Sequence, residues 1–145
     1  MDFETLKRKT RSKFEARVGK DLLDKGIPID YENVKIKYEQ PAKQRTYTPD
    51  FILPNGIIVE AKGRLTVETR KKHKWLAAQY PELDIRLLFQ RASNKIYKGS
   101  KTSYGEWCDR YDIPWAEGRV PQEWLDEDTR DIPYDDTTVI RREDA

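Results

Sequence analysis

Tyr47–Gly63 reads YTPDFILPNGIIVEAKG. Two apolar runs, Phe51–Leu53 and Ile57–Val59, flank Pro54-Asn55-Gly56. That triplet favours a tight reversal, so the stretch predicts a β-hairpin. Three ionisable residues interrupt the apolar runs: Asp50, Glu60 and Lys62. Side chains alternate across a strand, so Glu60 and Lys62 share a face. Asp50 joins them only if the loop has an odd number of residues, such as 54–56 closed by Leu53 and Ile57. A two-residue Asn55-Gly56 loop, the stronger turn preference, would set Asp50 opposite Ala61 on the wrong face. The chemistry of the three charged groups favours the odd loop.

Two carboxylates and a lysine on one face of an apolar strand pair are costly to bury without compensation. A divalent cation supplies it. Mg²⁺ prefers carboxylate, carbonyl and water ligands, lowers the pKa of a bound water and neutralises charge on a phosphoryl oxygen. The lysine can then position or help deprotonate the attacking water, or stabilise charge developing at phosphorus. The bland alternative makes Asp50 and Glu60 strand-edge charges with Lys62 as an ion-pair partner, the commoner meaning of an isolated short match.

The match is not isolated. Pro49-Asp50, then Glu60-Ala61-Lys62, fits the PD-(D/E)xK signature. Further segments join it: RKKH at Arg70–His73, YPELDIRLLF at Tyr80–Phe89 and YKGSKTSYGEWC at Tyr97–Cys108. From about Ser12 to Trp124 the chain resembles the phage T7 endonuclease I family of Holliday-junction-resolving enzymes, within the PD-(D/E)xK nucleases. It departs from that pattern in a somewhat short N-terminus, an acidic C-terminus and Ala61 where threonine is familiar. The resemblance implies an α/β, restriction-endonuclease-like mixed sheet flanked by helices, in a segment-swapped homodimer. It implies a Mg²⁺-dependent endodeoxyribonuclease, with Mn²⁺ substituting, that resolves four-way junctions in branched DNA by paired nicks and leaves 5′-phosphate and 3′-hydroxyl ends. Asp50, Glu60 and the Ala61 backbone carbonyl would ligate metal, Lys62 would attend the water, and Glu15 would complete a second metal site in the partner subunit. The rival readings are the same chemistry on linear duplex or single strands, and a non-catalytic junction-binding module. Intact Asp50, Glu60 and Lys62 argue against the last.

Composition agrees with a DNA partner. The 145 residues suffice for one domain. Residues 1–125 carry 25 basic and 18 acidic residues, whereas 126–145 carry three basic and eight acidic. A basic body suits a polyanion. No apolar run is long enough for a membrane span, and the first residues lack a signal-peptide core. With one cysteine and one histidine, the usual zinc sites are excluded. Together with the resemblance to a phage family, these features imply the cytoplasm of a bacterial host.

Three regions are expected: a basic flexible arm at 1–11, a nuclease domain at 12–125, and an acidic, disordered, dispensable tail at 126–145. Phe14, Val18 and Leu22 predict a helix from about Ser12 to Gly26. Its Ser12-Lys13-Phe14-Glu15 start fits a capping box, so by its residues alone Glu15 is equally a cap and a site residue. Residues 29–38 read as strand and 40–45 as a polar link. Thr66 caps a helix to Gln79, with Trp75, Leu76 and Ala78 inward. Arg70, Lys71, Lys72 and Lys74 form a basic face, and Lys95 and Lys98 a basic loop. Both are candidate DNA contacts, although charge runs usually mark solvated surface. His73 is expected at the surface or its boundary. Trp107, Trp115 and Trp124 are expected in the core.

Overall fold

The computed structural model describes residues 1–40, 43–130 and 139–141. The elements run α1 (Phe3–Lys9), α2 (Lys13–Asp24), β1 (Asp30–Tyr31), β2 (Val34–Gln40), β3 (Lys43–Tyr47), β4 (Phe51–Ile52), β5 (Ile58–Lys62) and α3 (Val67–Gln79). They continue with β6 (Ile85–Phe89), α4 (Tyr104–Arg110), β7 (Trp115–Glu117), α5 (Gln122–Leu125) and β8 (Val139–Arg141). One mixed sheet has the order β1-β4-β5-β6-β7. Its β1, β4 and β5 are antiparallel and its β5, β6 and β7 parallel. A second sheet, β3-β2-β8, is antiparallel.

The hairpin closes as the chemistry requires. Phe51 faces Val59 and Ile52 faces Ile58. The Leu53 N–H donates to the Ile57 carbonyl at 2.8 Å and the Gly56 N–H to the Leu53 carbonyl at 2.9 Å. Residues 54–56 are therefore the loop, and Gly56 supplies the left-handed φ of +94° that ends it. This register sets Asp50 opposite Glu60. Strand alternation then divides β5 between two cores. Ile57, Val59 and Ala61 pack with Phe14, Val18 and Leu22 of α2. Ile58 packs with Tyr47 and with Leu76 of α3, and Glu60 and Lys62 take that second face.

Several expectations are corrected. Residues 1–11 are not a loose arm: Asp2 caps α1 by accepting from the Thr5 N–H. Leu6 is fully buried against Gly19 of α2, where an added Cβ would lie 1.9 Å from Leu6 Cδ2. The expected polar link overlaps β3, which folds back on β2 with Tyr38 opposite Arg45. On α3 the inward stripe is Thr69, His73 and Leu76, while Trp75 is half-buried and Ala78 exposed. The spacing of that stripe, rather than the apolarity of its residues, sets the buried face. Trp107 and Trp124 are buried and Trp115 packs against the cluster around Phe89 and Trp107.

The chain also stays packed from Asp126 to Arg130. Arg86 of β6 holds Asp84 at 2.8 Å and Glu127 at 2.5 Å, and Arg130 pairs with Asp84. The Asn55 amide donates to the Trp124 and Glu127 carbonyls at 2.8 and 3.1 Å, and the Arg130 N–H returns to the Asn55 carbonyl. Residues 126–130 thus clasp the hairpin loop, and β8 adds to β2. Residues 131–138 and 142–145 of the expected tail lie outside the described residues. When the chain stops at Leu125, the buried Arg86 keeps Asp84 but loses Glu127, and Asp84 loses Arg130; removing one partner of a buried charge is destabilising. Truncation after Leu125 is expected to lower the melting temperature, and truncation after Arg130 to lower it less. Equal melts would show that the clasp contributes nothing.

Candidate active site

Glu60 of β5 is buried and both its oxygens are engaged. Oε1 lies 3.4 Å from Lys62 Nζ. Oε2 accepts from the Tyr47 hydroxyl at 3.1 Å and from the Asp50 N–H at 3.3 Å. Asp50, equally buried, accepts at Oδ2 from the Ala61 N–H at 3.0 Å. Each carboxylate is thus held by the backbone of the other's strand. The Ile58 N–H and the Lys62 carbonyl bond toward β6. Strand alternation therefore directs the Ala61 N–H and carbonyl to the opposite edge, where Asp50 stands.

A second layer supplies more acid. Ser12 caps α2 by accepting from the Glu15 N–H at 3.0 Å, but the capping box is not reciprocated. The Glu15 carboxylate instead accepts from the Tyr31 hydroxyl. The backbone of Glu15 is capped, and its side chain lies beside those of Glu32 and Asp50. One carboxylate oxygen from each of Glu15, Glu32 and Asp50 lies within 4.8 Å of the others. Glu32 is a residue that the sequence reading passes over. It sits between β1 and β2 at φ +47°, a conformation that non-glycine residues adopt at a cost and that clusters at functional sites. Arg11 pairs with it.

The electrostatics follow from this crowding. Burial first, then the negative charges of Glu60 and Glu15, push the Asp50 carboxyl up to about 8. Tyr31 is raised by burial and by Glu15. An assembly of carboxylates that resist ionising together suits a cation, which would relieve the repulsion. The carboxylates of Glu15, Glu32 and Asp50 fit a hard cation.

A stability prediction follows. Because the folded-state pKa of Asp50 is above its ordinary 3.8, its contribution is fully present below that value. It is lost as pH rises through the folded value. In metal-free protein, Asp50→Asn is therefore expected to melt higher than wild type at about pH 8, with the gap closing toward about pH 5. A gap that does not change with pH would contradict the assignment.

The phage endonuclease I family profile matches residues 4–144. The chain belongs to the phage endonuclease I family. Endonuclease I of Escherichia phage T7 is 49% identical over 125 residues, covering 86% of this chain and 84% of that one. Endodeoxyribonuclease 1 of Enterobacteria phage T3 is 47% identical over 125 residues, covering 86% and 82%. Membership of this family makes the protein a nuclease.

The basic residues of this endonuclease I family member divide by environment. Lys71 is exposed on the wall of a groove of about 620 Å³ that Arg45, Thr69, Lys72 and Trp75 also line. Arg70 is committed elsewhere: its Nη1 donates to the Leu65 and Ile96 carbonyls at 2.8 and 3.0 Å, tying α3 to the loop after β6. Lys74 lies 4.5 Å over the Tyr111 ring. Lys95 and Lys98 line a separate cavity of about 430 Å³ with Arg64, Thr66 and Tyr97. His73, expected near the surface, is buried with its Nε2 unpartnered among the described residues. Burial and the neighbouring lysines push its imidazole down to about 3. It packs edge-on against Tyr47, 5.6 Å between ring centres, and so helps seat the tyrosine that holds Glu60.

Proposed function

We propose that this protein is a divalent-metal-dependent endodeoxyribonuclease that resolves four-way junctions in branched DNA by paired nicks on opposing strands. The observation that carries the reading is the convergence of Asp50, Glu60 and Lys62 on one face, beside the edge to which the Ala61 carbonyl is directed. The endodeoxyribonuclease named among the relatives supports DNA as the substrate. Asp50, Glu60 and the Ala61 carbonyl would hold Mg²⁺, or Mn²⁺ in its place, with Glu15, Asp50 and Glu32 available for a second ion. A cation held there supplies a bound water of lowered pKa and neutralises charge on a phosphoryl oxygen.

The chain's own groups do the rest. Glu60 positions the Lys62 ammonium, which is 3.4 Å from it and partly open to solvent. Lys62 orients the attacking water and offsets negative charge as it builds on phosphorus. Tyr47 and the Asp50 N–H keep Glu60 fixed while this happens. In-line displacement of the 3′ oxygen leaves 5′-phosphate and 3′-hydroxyl ends.

Two cuts on opposing strands of an approximately two-fold junction call for two matched sites, which a symmetric homodimer provides. Glu15 and Glu32 precede β3, whereas Asp50, Glu60 and Lys62 follow it. Exchange of the N-terminal portion between two chains would keep these contacts while sharing each site between subunits. The host cytoplasm, where phage DNA is processed, is the place we assign to this activity. Among the described residues, no helix is long and apolar enough to cross a membrane.

The test compares a synthetic four-way junction with linear duplex and single strands of the same sequence, with and without Mg²⁺. Paired nicks confined to the junction and dependent on metal are expected. Equal cutting of the linear duplex would overturn junction selectivity. Binding without cutting in Mg²⁺ and Mn²⁺ would overturn the catalytic reading.

A further inference from the structure

Within the run Arg70–Lys74, Lys72 occupies a different environment from its neighbours. Its side chain is half-buried, and its ammonium lies 5.3 Å over the ring of Tyr47. The hydroxyl of that ring donates to Glu60 Oε2. Lys72 therefore stands on the same aromatic plate that fixes a metal-ligand candidate. It is within electrostatic reach of Glu60, Lys62 and Asp50, and burial lowers its pKa. Among the described residues it forms no ion pair with either carboxylate; Glu60 Oε1 is paired with Lys62 instead. The groove that Lys72 lines is open to a ligand.

Desolvating an ammonium is costly unless an opposite charge meets it. Here the carboxylates offer a favourable field without closing on the amine, and the ring face adds a cation–π contribution. Such a cation, fixed beside the reacting groups on the wall of an open groove, is arranged for an anion that arrives with the substrate. An exposed lysine attracts any phosphate along the duplex about equally before and during reaction, and salt screens it. A partly desolvated one acts more strongly, at the place where negative charge grows.

We propose that Lys72 is a further catalytic residue, whose ammonium contacts a non-bridging oxygen of the scissile phosphate and stabilises the charge that develops there. This rests on the nuclease reading of the site. Lys62 and Lys72 then flank the phosphate from β5 and α3, one attending the water and the other the phosphoryl oxygen.

The test uses Lys72→Met, which keeps an unbranched apolar chain over Tyr47, in single-turnover cleavage of a four-way junction at saturating protein. A rate loss of roughly 10²-fold or more is expected, with junction affinity and melting temperature near wild type. Lys71→Met is expected to show its loss in affinity instead, with the log K against log salt slope smaller by roughly 0.9 for a lost phosphate contact. Junctions carrying one sulfur diastereomer at the scissile phosphate supply a readout that a purely structural role would not move. The rate difference between the two diastereomers should shrink in Lys72→Met. A variant that cuts near the wild-type rate, or keeps the full diastereomer difference, overturns the proposal. If Lys72→Met melts early, Lys72→Gln is read in the same way. Wild-type protein that fails to cut the unmodified junction would count against the nuclease reading itself, whereas cutting by both wild type and variant removes only the role of Lys72.

Discussion

Lys62→Ala is expected to abolish cleavage and to leave DNA binding in place. We expect a single-turnover rate at least about 10³-fold below wild type, roughly 4 kcal/mol of transition-state stabilisation at about 1.4 kcal/mol per tenfold. The reason lies in where the ammonium sits. It is 3.4 Å from Glu60 Oε1 and retains partial access to solvent, so it can meet a water or a phosphoryl oxygen that reaches the carboxylates. It is one cation among many on a basic body, and ground-state affinity for DNA is a sum over many phosphates. Removing it subtracts little from that sum and much from the one place where charge changes during reaction. Glu60 would lose its ion pair but keep the Tyr47 hydroxyl and the Asp50 N–H, so the hairpin should persist. Cleavage rate, junction affinity in the absence of divalent cation, and the melt should therefore separate. A variant that cuts near the wild-type rate would mean that the acid–lysine face is only a buried ion pair. A parallel collapse of affinity and melt would assign Lys62 to structure.

The parts of this site that could be read from the sequence are the parts built by local rules. Alternation along β5 puts Glu60 and Lys62 on one face, and loop parity decides whether Asp50 joins them. Both depend on fewer than twenty consecutive residues, and the register with Ile52 opposite Ile58 follows. Glu15 is harder, because a capping box and a site carboxylate have the same spelling. Only the packing of α2 beside Tyr31 turns the side chain away from its own backbone. Glu32 left a fainter signal: the inward alternation Ile29, Tyr31 slips phase before Val34, Ile36, Tyr38. A slip in phase marks a break between strands, and there the backbone takes a positive φ that aims Glu32 at Asp50. His73 departs from its expected place because its polarity argues for solvent, yet the spacing of Thr69, His73 and Leu76 fixes the inward stripe of α3, and Lys72 lies at its margin over Tyr47. The clasp by Glu127 and Arg130 depends on Arg86 and Asp84, some forty residues earlier. Acidic composition alone cannot reveal a partner that distant.

The same separation along the chain makes the shared active site testable. Glu15→Ala and Asp50→Ala chains are each expected to be inactive as homodimers, since both carboxylates belong to the acid cluster. If the N-terminal portions are exchanged, a mixed dimer places both lesions in one site and leaves the other intact. Co-expressed or co-refolded mixtures should then regain nicking of a four-way junction, up to about a quarter of wild-type sites when random pairing makes half the dimers mixed and each has one good site of two. Paired cuts that linearise a cruciform plasmid should remain absent, because no dimer in the mixture has two intact sites. If Glu15 serves its own chain, every site in a mixed dimer keeps one lesion and no nicking returns. If Glu15 only caps α2, its alanine variant should still cut, because its N–H would keep the bond to Ser12 and the stability loss would stay within the range of about 0.5–2 kcal/mol known for caps. The Tyr31 hydroxyl discriminates further. In a shared site it holds Glu15 for an Asp50 of the other subunit, so Tyr31→Phe chains mixed with Asp50→Ala chains should recover nicking as the Glu15→Ala mixture does. Tyr31→Phe homodimers that cut at the wild-type rate would show that Glu15 does not depend on that contact.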